Sequence, residues 1–313
     1  MRVLKRLVAA MVLSCMSEAA AAQELDAHHQ PWWDSPWGEE DTIGALNNLS
    51  PEIVAGAAKL VTAGKVYQLG VKTGPETPAY GSRVYSVERT GGGDLTSNGS
   101  NRITSFDEKV STSMGIGTQI DGLAHLGVDS HAYNGIPYTE LKNSFKLDLA
   151  SIPPIVSRGV LIDMTKHFGK LQLDASDVFN SAEIKAAAKE QGVEIRKGDV
   201  VLFHTGWMDM STDDPTAYRT SEPGIGEDGA IYLADLGVVA VGADNIALEH
   251  LPAGKRPTFI VHQTLLAKRG VYILEAIDTR ELAKDGAREF LFVAAPPRME
   301  GTVQIIVNPV AIR

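Results

Sequence analysis

Gly115-Ile116-Gly117-Thr118-Gln119-Ile120-Asp121-Gly122-Leu123-Ala124-His125 is the densest polar cluster in an otherwise apolar stretch of this chain. Gln119 and Asp121 stand two apart, so an extended backbone projects both to the same side. Gly122 allows a turn, after which His125 follows. A carboxylate and an imidazole brought together in this way make half of a metal site. The same spacing equally suits a capped turn with a surface histidine.

A second segment adds the other half. Phe259-Ile260-Val261 reads as a strand with His262 at its end, and the run 258–261 is taken as a buried strand. Residues 263–268 read as a short helix, and the chain returns as a strand, Gly270-Val271-Tyr272-Ile273-Leu274-Glu275. A histidine and a glutamate at successive strand ends can face one cleft. Asp121, His125, His262 and Glu275 together offer two imidazoles and two carboxylates, a donor set that suits zinc or manganese. Such an ion polarises a carbonyl and draws the pKa of bound water towards neutrality.

The rest of the chain frames these segments. Apolar runs at 159–164, 199–203, 238–242, 290–294 and 303–307 read as further buried strands, and 65–71 alternates like a strand. Ser50-Pro51 starts a helix over 51–61. Asn180-Ser181-Ala182-Glu183 is a capping box, with Gly192 at the helix end. Residues 23–48 read as irregular, and 90–101 as a polar, glycine-rich loop. This mixture predicts a single α/β domain with a mixed sheet.

The 313 residues are 44% hydrophobic and 22% charged, as in an ordinary soluble globular protein. A formal net charge of -10 argues against a nucleic-acid partner. There is no Gly-x-Ser-x-Gly elbow, and Thr90-Gly91-Gly92-Gly93 lacks the Gly-Lys-Ser/Thr of a phosphate loop. Asn98-Gly99-Ser100 is a glycosylation sequon by pattern only. Residues 1–22 read as a signal peptide: basic Arg2, Lys5 and Arg6, an apolar run over 7–13, and Ala20-Ala21-Ala22 before Gln23. The mature domain is then 23–313, soluble and periplasmic or secreted, with no membrane contact after cleavage. The single cysteine, Cys15, lies inside the signal, which excludes disulfides and thiolate ligands. Val12-Leu13-Ser14-Cys15 is a poor match to a lipoprotein box.

On these residues the chain resembles the cyclase family, which includes bacterial kynurenine formamidase and isatin hydrolase and carries His-x-Gly-Thr-His-x-Asp-x-x-x-His. The Gly117-Thr118 pair, Asp121 and His125 match; Gly115 and Gln119 replace the first two histidines. The later histidine, two leucines and a glutamate match His262, Leu265, Leu266 and Glu275. The segments 158–163, 198–202, 205–207 and 242–244 are similar too, and the resemblance covers about residues 39–312. The Gln-for-His form resembles a longer-chain branch of the family.

The resemblance implies a swivelling β/β/α fold, a homodimer or higher homo-oligomer, and one tight divalent metal, zinc or manganese, on Asp121, His125, His262 and Glu275. Gln119 is then a weak ligand or a donor to the substrate carbonyl, and Gln119, His125 and Glu275 take the catalytic roles, Glu275 or a metal-free histidine being the base. His131 and His204 join Gln119 as candidate substrate contacts. The implied activity is arylformamidase-like hydrolysis of a cyclic or aryl amide or ester: a lactone, an isatin-like ring or an N-formyl arylamine. The alternatives are an exported small-molecule binding protein on a degenerate scaffold and a non-hydrolytic cyclase. Asp244 and Asn245 read as a turn cap, His167 and His250 as surface residues, and His28-His29 with Trp32-Trp33 as packing or disordered.

Overall fold

The computed structural model describes residues 34–91, 100–101, 103–252, 254 and 257–313. The signal peptide, Cys15, His28-His29, Trp32-Trp33 and the centre of the 90–101 segment lie outside the described residues.

Among the described residues the strands are, in chain order, β1 (Val66–Gln68), β2 (Tyr85–Gly91), β3 (Phe106–Thr112), β4 (Gln119–Asp121), β5 (Ile155–Asp163), β6 (Val178–Phe179), β7 (Val200–His204), β8 (Gly224–Ile225), β9 (Ala240–Ala243), β10 (Tyr272–Glu275), β11 (Glu289–Ala294), β12 (Gln304–Ile306) and β13 (Val310–Ile312). Nine of them form one mixed sheet in the order β1-β13-β11-β5-β7-β9-β10-β4-β12. The middle strands β5, β7, β9 and β10 run parallel, with antiparallel strands on both flanks.

The parallel strands are continuous apolar runs because both faces of the sheet are covered. Successive side chains alternate between two cores. Leu161, Leu202, Ala240 and Leu274 join Ile120, Phe290 and Phe292 on one side. Val160, Ile162, Val201, Phe203, Val241 and Ile273 face the other, where they meet Ile184, Ala187 and Leu233. Those last three come from helices α2 (Ser181–Glu190) and α3 (Glu227–Asp235), which follow α1 (Pro51–Ala58) in the chain. α1 has Pro51 at its first position, and the Ser50 hydroxyl accepts the Ile53 N–H at 3.3 Å. α2 carries its capping box, with the Asn180 N–H donated to Glu183 at 2.8 Å.

Several sequence expectations need correction. α1 ends at Ala58 rather than 61, and the 65–71 strand is confined to Val66–Gln68, with Gly70 forming an isolated bridge to Ile277. Thr90 and Gly91 are not loop but the end of β2, which pairs with β3 in a separate hairpin. That hairpin is exposed along nearly its whole length, so no buried face imposed an apolar alternation on it. The run 258–261 is not a strand. Phe259 adopts a left-handed conformation at φ 59°, and the chain enters a single helical turn, α4 (Ile260–His262), followed by a π-helical segment, Gln263–Lys268. A four-residue apolar run reads alike as a strand or a buried helical turn.

Candidate metal centre

β4 and β10 pair antiparallel, with Glu275 opposite Gln119 and Ile273 opposite Asp121. Ile120 and Leu274 point into the core on the other side of the sheet. The two-residue period therefore turns Gln119, Asp121 and Glu275 to one face. His262 reaches the same place from α4. Ligand atoms of Asp121, His262 and Glu275 all lie within 4.8 Å of one another, and all three residues are buried. His262 Nε2 is 3.1 Å from Glu275 Oε1 and 3.7 Å from Asp121 Oδ2.

Glu249, which the sequence reading missed, sets the pose of His262. Its Oε2 accepts the backbone N–H of Val261 at 2.8 Å and of His262 at 3.1 Å, and lies 3.2 Å from His262 Nδ1. Glu249 is 2% exposed. No local spacing connects it to a histidine thirteen positions on. A second missed carboxylate, Glu222, is wholly buried and accepts the N–H of Ile246 at 2.8 Å and of Ala247 at 2.9 Å. Burial pushes its pKa far above the usual carboxylate range.

The electrostatics reflect excess negative charge in a dry place. Burial, and then the neighbouring charge of Glu275, raises the Asp121 pKa to about 6. Burial works to lower that of His262, but its hydrogen bonds to Glu249 and Glu275 prevail and raise it to about 10. Asp121 Oδ2 is buried without a hydrogen-bond partner. Buried carboxylate oxygens are rarely left so, and this one sits beside a second carboxylate and an imidazole nitrogen. The three residues thus fit a divalent cation.

The other predicted site residues are placed as follows. The Gln119 amide donates to Glu275 Oε2 and, at 3.4 Å, to Asp121 Oδ1, tying the two carboxylates together. His125 stands outside the group of three, its ring centroid 6.5 Å from that of His262, and burial holds its pKa below the ordinary value. It lines a cavity of about 200 Å³ together with Tyr80, Arg83, Phe259, His262 and Glu275, closed on another side by Ile246 and Ala247. Neither His131 nor His204 lines that cavity. His131 is held in the loop after β4 by bridges to Val128 and Pro137. His204 Nδ1 lies 2.8 Å from Thr279 Oγ1 and 3.2 Å from Asp244 Oδ2. Asp244 caps a turn, accepting the N–H of Thr205 at 2.9 Å and of Gly206 at 2.8 Å. A larger hollow of about 400 Å³, walled by residues 71–78, Met208 and Tyr218, touches none of Asp121, His125, His262 or Glu275.

Known proteins repeat this architecture. A crystal structure of a novel cyclase superposes with a TM-score of 0.81 at 29% identity, covering 88% of this chain and 98% of its own. Isatin hydrolase A from Labrenzia aggregata, bound to benzyl benzoate, gives 0.63 at 18% identity, covering 83% of this chain and 97% of its own. A potential metal-dependent hydrolase with cyclase activity gives 0.53 at 22% identity, covering 80% and 98%. No curated protein sequence matches the chain. The Cyclase family model matches residues 48–250, a span that runs through β4, the parallel strands β5, β7 and β9, and Glu249. With well over half of its length inside that model, the chain belongs to the Cyclase family.

Proposed function

We propose that this protein is a metal-dependent hydrolase, arylformamidase-like in the bond it cleaves, that opens a cyclic or aryl amide or ester. The observation that carries the reading is the buried group of Asp121, His262 and Glu275, in which Asp121 Oδ2 has no hydrogen-bond partner and His262 and Glu275 line a small cavity. Asp121, His262 and Glu275 would hold the ion. Two carboxylates and one imidazole suit zinc or manganese. When bound, the ion polarises a carbonyl and lowers the pKa of water. Isatin hydrolases among the fold relatives support ring opening as the reaction type.

The protein's own residues supply the rest. Glu249 would accept a hydrogen bond from the Nδ1–H of His262, so that Nε2, facing Asp121 and Glu275, is the nitrogen left to hold the ion. Gln119 holds the Glu275 carboxylate in place. His125, kept neutral at pH 7 by burial, is free to take the proton of the attacking water and return it to the leaving nitrogen or oxygen. Tyr80 and Phe259, edge to face with ring centroids 5.8 Å apart, offer an aromatic lining to a ring. Residues 1–22 direct the chain to the periplasm or medium in this reading, and mass spectrometry of the purified protein should find Gln23 at its N-terminus.

Elemental analysis of wild type beside His262→Ala, with a turnover screen of lactones, cyclic amides and N-formyl arylamines, tests the reading. About one zinc or manganese per chain is expected, lost in the variant together with turnover. No ion in wild type after reconstitution would overturn it, and ligand binding without turnover would favour the binding protein.

A further inference from the structure

Arg83 is half-buried and, among the described residues, is the only lysine or arginine lining the cavity beside His125, His262 and Glu275. Its hydrogen bond goes to a neutral acceptor, Gln304 Oε1, at 3.3 Å from Nη2. No carboxylate among the described residues forms an ion pair with it. A guanidinium carries five N–H donors in a fork that matches a carboxylate, so most of its donor capacity is unspent.

Its position depends on Gly115. A Cβ there would stand 2.8 Å from Arg83 Cζ and 2.7 Å from Gln304 Cδ. Any side chain at 115 would therefore displace the guanidinium and the amide that orients it. The positive charge is close enough to the centre to act on both Asp121 and His125. The lining also includes the aromatic rings of Tyr80 and Phe259, and the volume of about 200 Å³ is small for a ligand pocket. A cation, an aromatic lining and room for little more than one ring select a small ring-bearing anion.

We infer that Arg83 is the anion anchor of this cavity and that the substrate is a one-ring carboxylic acid, its carboxylate on Arg83 and its scissile bond over Asp121 and Glu275. This substrate class rests on the hydrolase reading; the anchor itself does not.

Titration calorimetry of the full chain with benzoate and with benzamide, in wild type, Arg83→Gln and Arg83→Lys, each with and without chelator, tests it. Benzoate should bind wild type about tenfold or more tighter than benzamide, as one charge-assisted contact implies. Arg83→Gln should erase that preference, Arg83→Lys should keep part of it, and both effects should persist under chelation. Thermal melts check that the variants fold. Failure of benzoate to bind, equal binding of the two probes, or full benzoate affinity in Arg83→Gln would overturn the anchor. So would benzoate binding that chelation abolishes, because the anion would then sit on the ion. An Arg83-dependent benzoate preference without turnover of any ester or amide would leave the anchor standing and remove the hydrolase. Turnover of carboxylate-bearing esters or amides with an unchanged KM in Arg83→Gln would do the reverse.

Discussion

Oε2 of Glu249 receives the backbone N–H groups of Val261 and His262 and faces Nδ1 of the same histidine. One oxygen thus starts the helical turn and orients the ring of its last residue. Glu249→Gln keeps the size but weakens the acceptor, and should lower metal affinity by about 10–100-fold, measured by competition with a chromogenic chelator. His204 makes a second prediction. Burial works to lower its pKa, but the hydrogen bond to Asp244 and the charges of Asp244, Asp163 and Asp209 raise it above 6.5. A raised folded pKa contributes stability that is fully present below pH 6.5 and is lost as pH rises through the folded value. The stability difference between wild type and His204→Gln in urea should therefore be largest in mild acid, about 1.5–3 kcal/mol, and shrink as pH rises. A constant difference across pH would show that His204 acts by packing alone.

At the scale of elements, Arg158 on β5 joins two neighbouring strand segments. It pairs with Asp199, at the start of β7, through Nε–Oδ1 at 2.9 Å and Nη2–Oδ2 at 2.6 Å, and it also reaches Glu289 on β11. Its side chain and that of Asp199 are only 11% and 3% exposed. Arg158→Met should cost about 3–5 kcal/mol by leaving Asp199 buried and unpaired, and Arg158→Met/Asp199→Leu should recover much of that loss. Urea denaturation of the two variants checks both. Elements also differ in how openly they show in the chain. β5, β7 and β9 are visible as apolar runs because burial constrains nearly every position in them, while β11 is buried at every second position. β2 and β3 lack a buried face, so nothing in their composition had to alternate. The run 258–261 was misread because its partner for hydrogen bonding is the side chain of Glu249, not a neighbouring strand.

Across the whole molecule, the proposed ion joins pieces far apart in the chain: β4, α4 and the end of β10. Binding to the folded state alone stabilises it by mass action, by about 2.7 kcal/mol when free ion stands at 100 times Kd. Chelation should accordingly lower the melting temperature of wild type and leave that of His262→Ala unchanged. Equal shifts in both proteins, read by circular dichroism, would place the ion elsewhere. The same closure brings Arg83, just ahead of the exposed hairpin, against Gly115 and Gln304.

The chain by itself determined most strands of the central sheet, though not β13, together with the capped helices and the shared face of Gln119 and Asp121. These follow from periods of two and from caps three residues long, which are local. It also pointed to Asp121, His262 and Glu275 as candidate ligands, through residue type and through the resemblance of their segments to a family. Only the tertiary structure decided that those three converge within 4.8 Å while His125 stands aside, that Glu249 orients His262, and that Arg83 fills the space over Gly115. Each of those outcomes depends on strand register, or on a carboxylate or guanidinium delivered from a distant segment. Sheet closure sets such distances, and no local spacing encodes them.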